Sequence, residues 1–346
     1  GVWVDRARRR PILIAADLGR ALLLLTLPLA AFGGVLRIEQ LYVVVALVAT
    51  LGVFFDTAYH AILPSLLSRE RLAEGNSRLA MSESLAESVG PGAAGALVQV
   101  ISAPLTILLD ALSFAVSALS LWLIRAPEAV VEATEGRQSV LEDIGAGLRA
   151  LRDDERLRTL LGAALTLGFS GGIIGTLYGV YGLRELGLSP FVLGVVIGLG
   201  GVGALAGSFL AEPAGRRFGY GRAMTGAMVF GAVLQFGIPL ARGALSVPLL
   251  VVAQILGDVG MSIFAIHERT LRQAITPDRL LGRVNASQQF LLGLVLPVGA
   301  LCGGWLGERF GLRTAIAIGV GGLLVASLWL LRSPLRRLEA LPGSRD

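Results

Sequence analysis

Lysine is absent from this 346-residue sequence, and all 30 basic residues are arginine. That uniformity reads as composition bias, so the positions of the arginines carry information and their chemistry does not. Cysteine is nearly absent. Cys302 stands alone, which excludes an intrachain disulfide. Two histidines, His60 and His267, plus one thiol are too few for a structural metal site, so neither a metal nor a cofactor is expected. Charge is sparse as well. Only 16% of residues are charged, against roughly a quarter in a soluble globular domain. The net charge of +5 does not point to nucleic acid, because the arginines lie in short segments between apolar runs.

What fills the chain instead is apolar sequence, 54% of all residues. Runs of membrane length recur from end to end, which defines an all-α polytopic membrane protein with the lipid bilayer as its outer solvent. Ten spans are expected. Four lie near residues 12–34, 41–63, 83–101 and a last one reaching 124, with Pro64 ending the second and a tight turn at Ser102-Ala103-Pro104. Six more lie near 160–183, 191–211, 223–240, 247–266, 285–306 and 314–331. Between the two sets, Leu141, Ile144, Leu148 and Leu151 recur at helical spacing, which predicts an amphipathic surface helix. The expected organisation is an N-terminal half at 1–125, a linker at 126–158, a six-helix half at 159–331 and a loose polar tail at 332–346.

Arginine bias sets the expected orientation. With the opening loop inside, Arg37, Arg184, Arg242, Arg309 and Arg313 fall outside and Arg20 lies within a span. The other 24 arginines fall on the cytoplasmic side. Loop 1–10 and linker 126–158 are then cytoplasmic, in a bacterial plasma membrane.

The two halves echo one another. Gly1 aligns with Gly207 and Pro91 with Pro297 at an offset of 206. Arg9-Arg10 aligns with Arg216-Arg217 at 207, and Arg71-Leu72 with Arg279-Leu280 at 208. In-order matches in corresponding loops indicate a parallel internal repeat of the kind that builds membrane transporters. The second half has two spans before Gly207 and the first has none before Gly1. The expectation is therefore a twelve-helix protein whose first two helices lie upstream of this sequence.

The opening stretch, Gly1-Val2-Trp3-Val4-Asp5-Arg6-Ala7-Arg8-Arg9-Arg10, resembles the loop between the second and third helices of the major facilitator superfamily. Its pattern is Gly-x-x-x-Asp-Arg-x-Gly-Arg-Arg/Lys. Gly1, Asp5, Arg6, Arg9 and Arg10 match it, and Arg8 stands where the pattern has glycine. The bland reading of such a cluster is that it only orients a helix. Further strings include Arg69-Glu70-Arg71-Leu72, Leu109-Asp110-Ala111-Leu112-Ser113-Phe114 and Pro277-Asp278-Arg279-Leu280. They resemble the exporter branch that includes macrolide-efflux proteins and the enterobactin exporter. The resemblance implies a major facilitator fold and proton-driven export of a small organic molecule. It also implies a cytoplasmic gate at the opening loop, with an echo at Glu212, Arg216 and Arg217 in which Ala211 holds the aspartate position.

Ionisable groups inside spans are costly and mark candidate cavity or coupling sites. Asp17 and Arg20 share a helical face at i,i+3, and mutual neutralisation is favoured over proton carriage. Glu83 and Glu87 suit the positive start of their helix. Asp56 and Asp110 lie nearer the ends of their spans. Asp258, flanked by Gly257 and Gly260, lies closest to the midplane, where a cavity role and a buried hydrogen bond weigh evenly. Gly90, Pro91, Gly92 and Gly95 form a small-residue motif for close helix packing, resembling a pattern that marks exporters. Four literal motif hits fail on context: Gly198-x-Gly200-x-x-Gly203 and Gly168-x-Ser170-x-Gly172 lie mid-span without a strand. Asn285-Ala286-Ser287 borders the cytoplasmic face, and His267-Glu268 lacks a second histidine.

The favoured function is a monomeric secondary transporter, with protons and a small organic substrate as its partners, exporting by alternating access. The rivals are a lipid or lysophospholipid flippase on the same fold and a transport-inactive membrane scaffold. An enzyme is disfavoured because no nucleophile–base set survives.

Overall fold

The computed structural model describes residues 9–66, 72–124 and 140–338. Among these, every regular element is helical. The first group is α1 (Arg9–Phe32), α2 (Ile38–Leu66), α3 (Leu72–Ile101) and α4 (Ala103–Leu123). The second is α5 (Val140–Asp153), α6 (Glu155–Val180), α7 (Pro190–Phe218), α8 (Tyr220–Gln235), α9 (Ser246–Ile275), α10 (Asp278–Phe310) and α11 (Leu312–Arg332). A π turn at Tyr181–Glu185 extends α6, and a 3-10 turn at Pro334–Arg337 follows α11. Nine of these segments are long and apolar enough to cross a membrane among the described residues. The tenth expected span, α3, is long but begins with a serine- and glutamate-rich stretch. It starts at Leu72, ahead of the expected beginning near residue 83. Pro64 lies inside α2, which continues two residues past it to Leu66 although the proline removes one N–H from the helical ladder.

The chain divides into two compact units. One comprises 1–86 and 93–137, the other 87–92 and 138–346. In the first, α1 packs on α2 and α4. Leu13 and Ala58 are its buried apolar centre, flanked by Phe55 and Leu121. In the second, α7 and α8 pack on α9, and α10 and α11 pack on α6. Its larger buried clusters lie around Tyr181, Val196, Leu250 and Ile316, and around Leu160, Met224, Phe264 and Leu330.

Small residues set the helix spacing. Gly203 and Gly207 of α7 lie directly on the backbone carbonyls of Ile255 and Val259 in α9. Gly172 of α6 meets the Leu296 carbonyl of α10, and Gly299 returns the contact at Phe169. Without a hydrophobic force between helices in lipid, such approach supplies the packing. Two of the four rejected motif hits, those ending at Gly203 and Gly172, thus lie on packing surfaces.

The amphipathic helix α5 forms as expected and docks on α10. Gly147 lies against Arg283 and Ser287, and Leu151 is buried with Leu157 and Val284. Asp154 caps α6, accepting from the Arg156 and Leu157 amides at 2.7 and 3.0 Å. The tail is not loose as far as Leu338. Leu335 is buried, and the Gly221 amide donates to the Leu338 carbonyl at 2.9 Å.

Three helix pairs share a one-residue link. Ser102 (φ 85, ψ 158), Gly219 (82, 146) and Gly311 (84, 153) precede α4, α8 and α11 respectively. Ser102 and Gly311 occupy corresponding places in the two halves, which extends the repeat beyond the sequence matches. Only glycine tolerates this region freely, and a side chain there costs about 1–3 kcal/mol. Ser102→Gly is therefore expected to raise the resistance of the protein to thermal denaturation in detergent. An unchanged or lowered midpoint would mean that the serine side chain contributes there.

Candidate functional site

Gly1, Asp5 and Arg6 lie outside the described residues. Arg9 and Arg10 open α1. Arg10 Nε donates to the Leu121 carbonyl at 2.8 Å and an Nη to that of Trp122. These carbonyls lie in the last turn of α4, where the Leu121 carbonyl also accepts from the Ile124 amide at 3.4 Å, so Arg10 meets the negative end of that helix. In the second half, the expected loop echo is helical. Glu212, Arg216 and Arg217 occupy the last two turns of α7, because the link at Gly219 needs only one residue. Arg216 pairs with Glu212 at 2.6 Å on the exposed face, and Arg217 lies over Phe218.

Asp17 and Arg20 meet as the spacing predicts, at 2.5 Å and buried. The Arg20 guanidinium is also sandwiched between the rings of Phe55 and Phe114, at 4.3 and 4.5 Å. Aromatic faces stabilise a cation most where water is excluded. Among the described residues Asp17 Oδ2 and Arg20 Nε have no hydrogen-bond partner. Asp56, Glu83 and Asp110 are exposed on their helices, and the Glu87 side chain lies outside the described residues. Gly90, Pro91 and Gly92 lie inside an unbroken α3, and Gly95 is buried. Gly194 of α7 lies against the Pro91 carbonyl, and Gly92 meets Val195 at ordinary contact distance.

Asp258 is a carboxylate that lines a cavity between spans. It projects from α9 into a space of about 620 Å³ walled by Ile174, Tyr178, Ile197, Gln254 and Leu323. Gln235 of α8 approaches its carboxylate, Nε2 donating to Oδ1 at 3.5 Å, the long limit of a hydrogen bond. Gly200 of α7 leaves room for Oδ2, because a methyl at that position would collide with it and with Gln254. Tyr178 is buried, and its hydroxyl has no hydrogen-bond partner among the described residues. The arrangement is an apolar chamber with one carboxylate and a few neutral donors, which can fix a small molecule's orientation and hold or release a proton.

A second polar cluster escaped sequence reasoning. Glu268 accepts from Arg272 Nε at 3.0 Å and from Gln288 at 3.4 Å, while Arg272 also donates to Asn285. All but Asn285 are buried. Expecting the span to end at 266 placed Glu268 and Arg272 in a loop, whereas α9 continues to Ile275. The i,i+4 spacing of Glu268 and Arg272 was the available signal. His267, also buried, donates from Nδ1 to the Ile263 carbonyl at 2.7 Å and packs edge-on against Tyr220.

A multi-pass helical bundle with a carboxylate-bearing chamber between its spans defines a membrane transporter. The sequence profile of the Major Facilitator Superfamily matches residues 1–300 and 185–346, and the chain belongs to that family. Macrolide efflux protein A of Streptococcus pyogenes is 22% identical over 326 residues, 90% of this chain and 77% of that protein. Two solved folds are alike. A bacterial homologue of the iron transporter ferroportin in an inward-facing state superposes with a TM-score of 0.70 at 20% identity, covering 96% and 84% of the two chains. A bacterial homologue of the human lysosomal transporter Spinster gives 0.71 at 15%, covering 99% and 86%.

Proposed function

We propose that the protein is a proton-coupled exporter of small, largely apolar organic molecules, acting as a monomer by alternating access in the plasma membrane without a cofactor. The observation that carries this reading is Asp258 in its chamber. Uncompensated, a central aspartate costs roughly 2.5–3.5 kcal/mol on insertion scales, and Gln235 offers only a long hydrogen bond. A group so placed changes its interactions sharply when protonated, which is what coupling requires. The apolar walls favour an organic substrate over an ion. The similarity to a protein named for macrolide efflux supports export.

In this reading 1–125 and 159–331 are the transport halves, and 126–158 is the linker. The opening loop, with Gly1, Asp5, Arg6, Arg9 and Arg10, serves as the cytoplasmic gate on the strength of its sequence pattern. The test is efflux of a panel of amphipathic compounds from cells making the protein, with and without a protonophore. Reduced accumulation of some compounds, abolished by the protonophore, is expected. Efflux that persists when the proton gradient is collapsed would remove the proton from the mechanism.

A further inference from the structure

A groove distinct from the Asp258 chamber lies at the opposite face of α8. It has a volume of about 650 Å³ and is walled by Arg222, Arg336 and Arg337 together with Val229, Phe230 and Leu331. The three arginines lie where spans end: α8 enters its span at Tyr220, and α11 leaves its own at Arg332. None has a carboxylate within 4.0 Å among the described residues. Two of them are held in place by the fold. The turn that carries Arg336 and Arg337 is anchored by buried Leu335, by Ser333 accepting from the Leu335 amide, and by the Gly221–Leu338 hydrogen bond. Apart from Thr225, whose hydroxyl donates to the Gly221 carbonyl at 2.8 Å, the remainder of the groove is carbon. Val229 lies seven residues beyond Arg222 on α8, about 10 Å deeper along the helix.

We propose that this groove binds an anionic phospholipid, with the headgroup phosphate on Arg222, Arg336 and Arg337 and an acyl chain along Val229, Phe230 and Leu331. Guanidinium groups bind phosphate oxygens through paired N–H donors, and basic pockets between membrane helices suit anionic headgroups. Charge at one end and hydrocarbon below it match a lipid better than a free anion, for which the apolar depth has no use. Arg222, Gly226 and Phe230 also border a second apolar groove of about 490 Å³ that reaches α7 and α9. A phosphate at Arg222 therefore has room for a chain on either side of α8. The site is independent of the transport reading.

The test uses the whole chain purified in detergent and titrated with phosphatidylglycerol or phosphatidylcholine, bound lipid being counted by native mass spectrometry. Phosphatidylglycerol is expected to bind more tightly. Each arginine near a membrane surface contributes about fivefold, so Arg222→Gln with Arg336→Gln and Arg337→Gln should weaken its binding about a hundredfold. Phosphatidylcholine binding should change little. Gly226→Leu adds a side chain where nothing lies within 4 Å of a new Cβ. It should plug the groove and lower phosphatidylglycerol binding with every arginine intact. Equal binding of the two lipids, or unchanged binding in the triple variant, would overturn the proposal. Displacement of phosphatidylglycerol by inorganic phosphate would overturn it too, by showing an anion site rather than a lipid site.

Discussion

Asp258→Asn is expected to reduce proton-coupled transport to background while leaving substrate binding measurable. The substitution keeps the shape, the volume and the capacity to accept from Gln235, whose Nε2 lies 3.5 Å from the carboxylate. It removes only the exchangeable charge. The fold should tolerate it, because a neutral amide in that chamber carries a smaller desolvation penalty than a carboxylate. The measurement is uptake into inverted vesicles with an imposed proton gradient, paired with equilibrium binding of the same compound. Transport at the wild-type rate would reduce Asp258 to a packing residue. Loss of binding together with transport would assign the carboxylate to the substrate rather than to the proton. Gly200→Ala approaches the same question from the neighbouring helix, because its methyl would collide with Asp258 Oδ2 and Gln254.

The second large effect is on stability. Arg20→Met should destabilise the protein by about 3–5 kcal/mol, the typical result of leaving one member of a buried ion pair without its partner. Asp17 is fully buried, and one of its oxygens has no other hydrogen bond, so the stranded charge has no alternative donor. Two ring contacts, to Phe55 and Phe114, are lost with the guanidinium. The combined change Asp17→Asn with Arg20→Met should be milder than Arg20→Met alone, because it removes the stranded charge as well. Denaturation in mixed detergent micelles measures both. An Arg20→Met protein within about 1 kcal/mol of wild type, the scale of an exposed pair, would show that water reaches Asp17.

The Asp17–Arg20 pair was legible in the sequence because i,i+3 spacing on a helix fixes which side chains meet. Its aromatic clamp was not, because Phe55 and Phe114 come from two other helices. Asp258 was singled out by position in its span, but its company was hidden. Gln235, Gly200 and Tyr178 belong to α8, α7 and α6, and no local pattern brings them together. The Glu268–Arg272–Asn285 cluster was missed for a different reason. Hydropathy falls where charged residues begin, while the helix continues for as long as backbone hydrogen bonds and tertiary packing hold it. The same error placed Glu212, Arg216 and Arg217 in a loop and began α3 eleven residues late.

The sequence alone determined that this protein lives in a bilayer and that its backbone is helical, and its offset motif matches carry the expectation of a repeat. Each of these follows from a rule acting along the chain. Lipid offers backbone amides no partner, so long apolar runs become helices, and a duplicated order of motifs survives in any fold. Tertiary structure decided which glycines carry a neighbouring backbone, which glutamine meets Asp258, and which arginines gather around a groove at the end of α8. Those outcomes depend on distances between helices far apart in sequence, and a one-dimensional pattern contains no such distances.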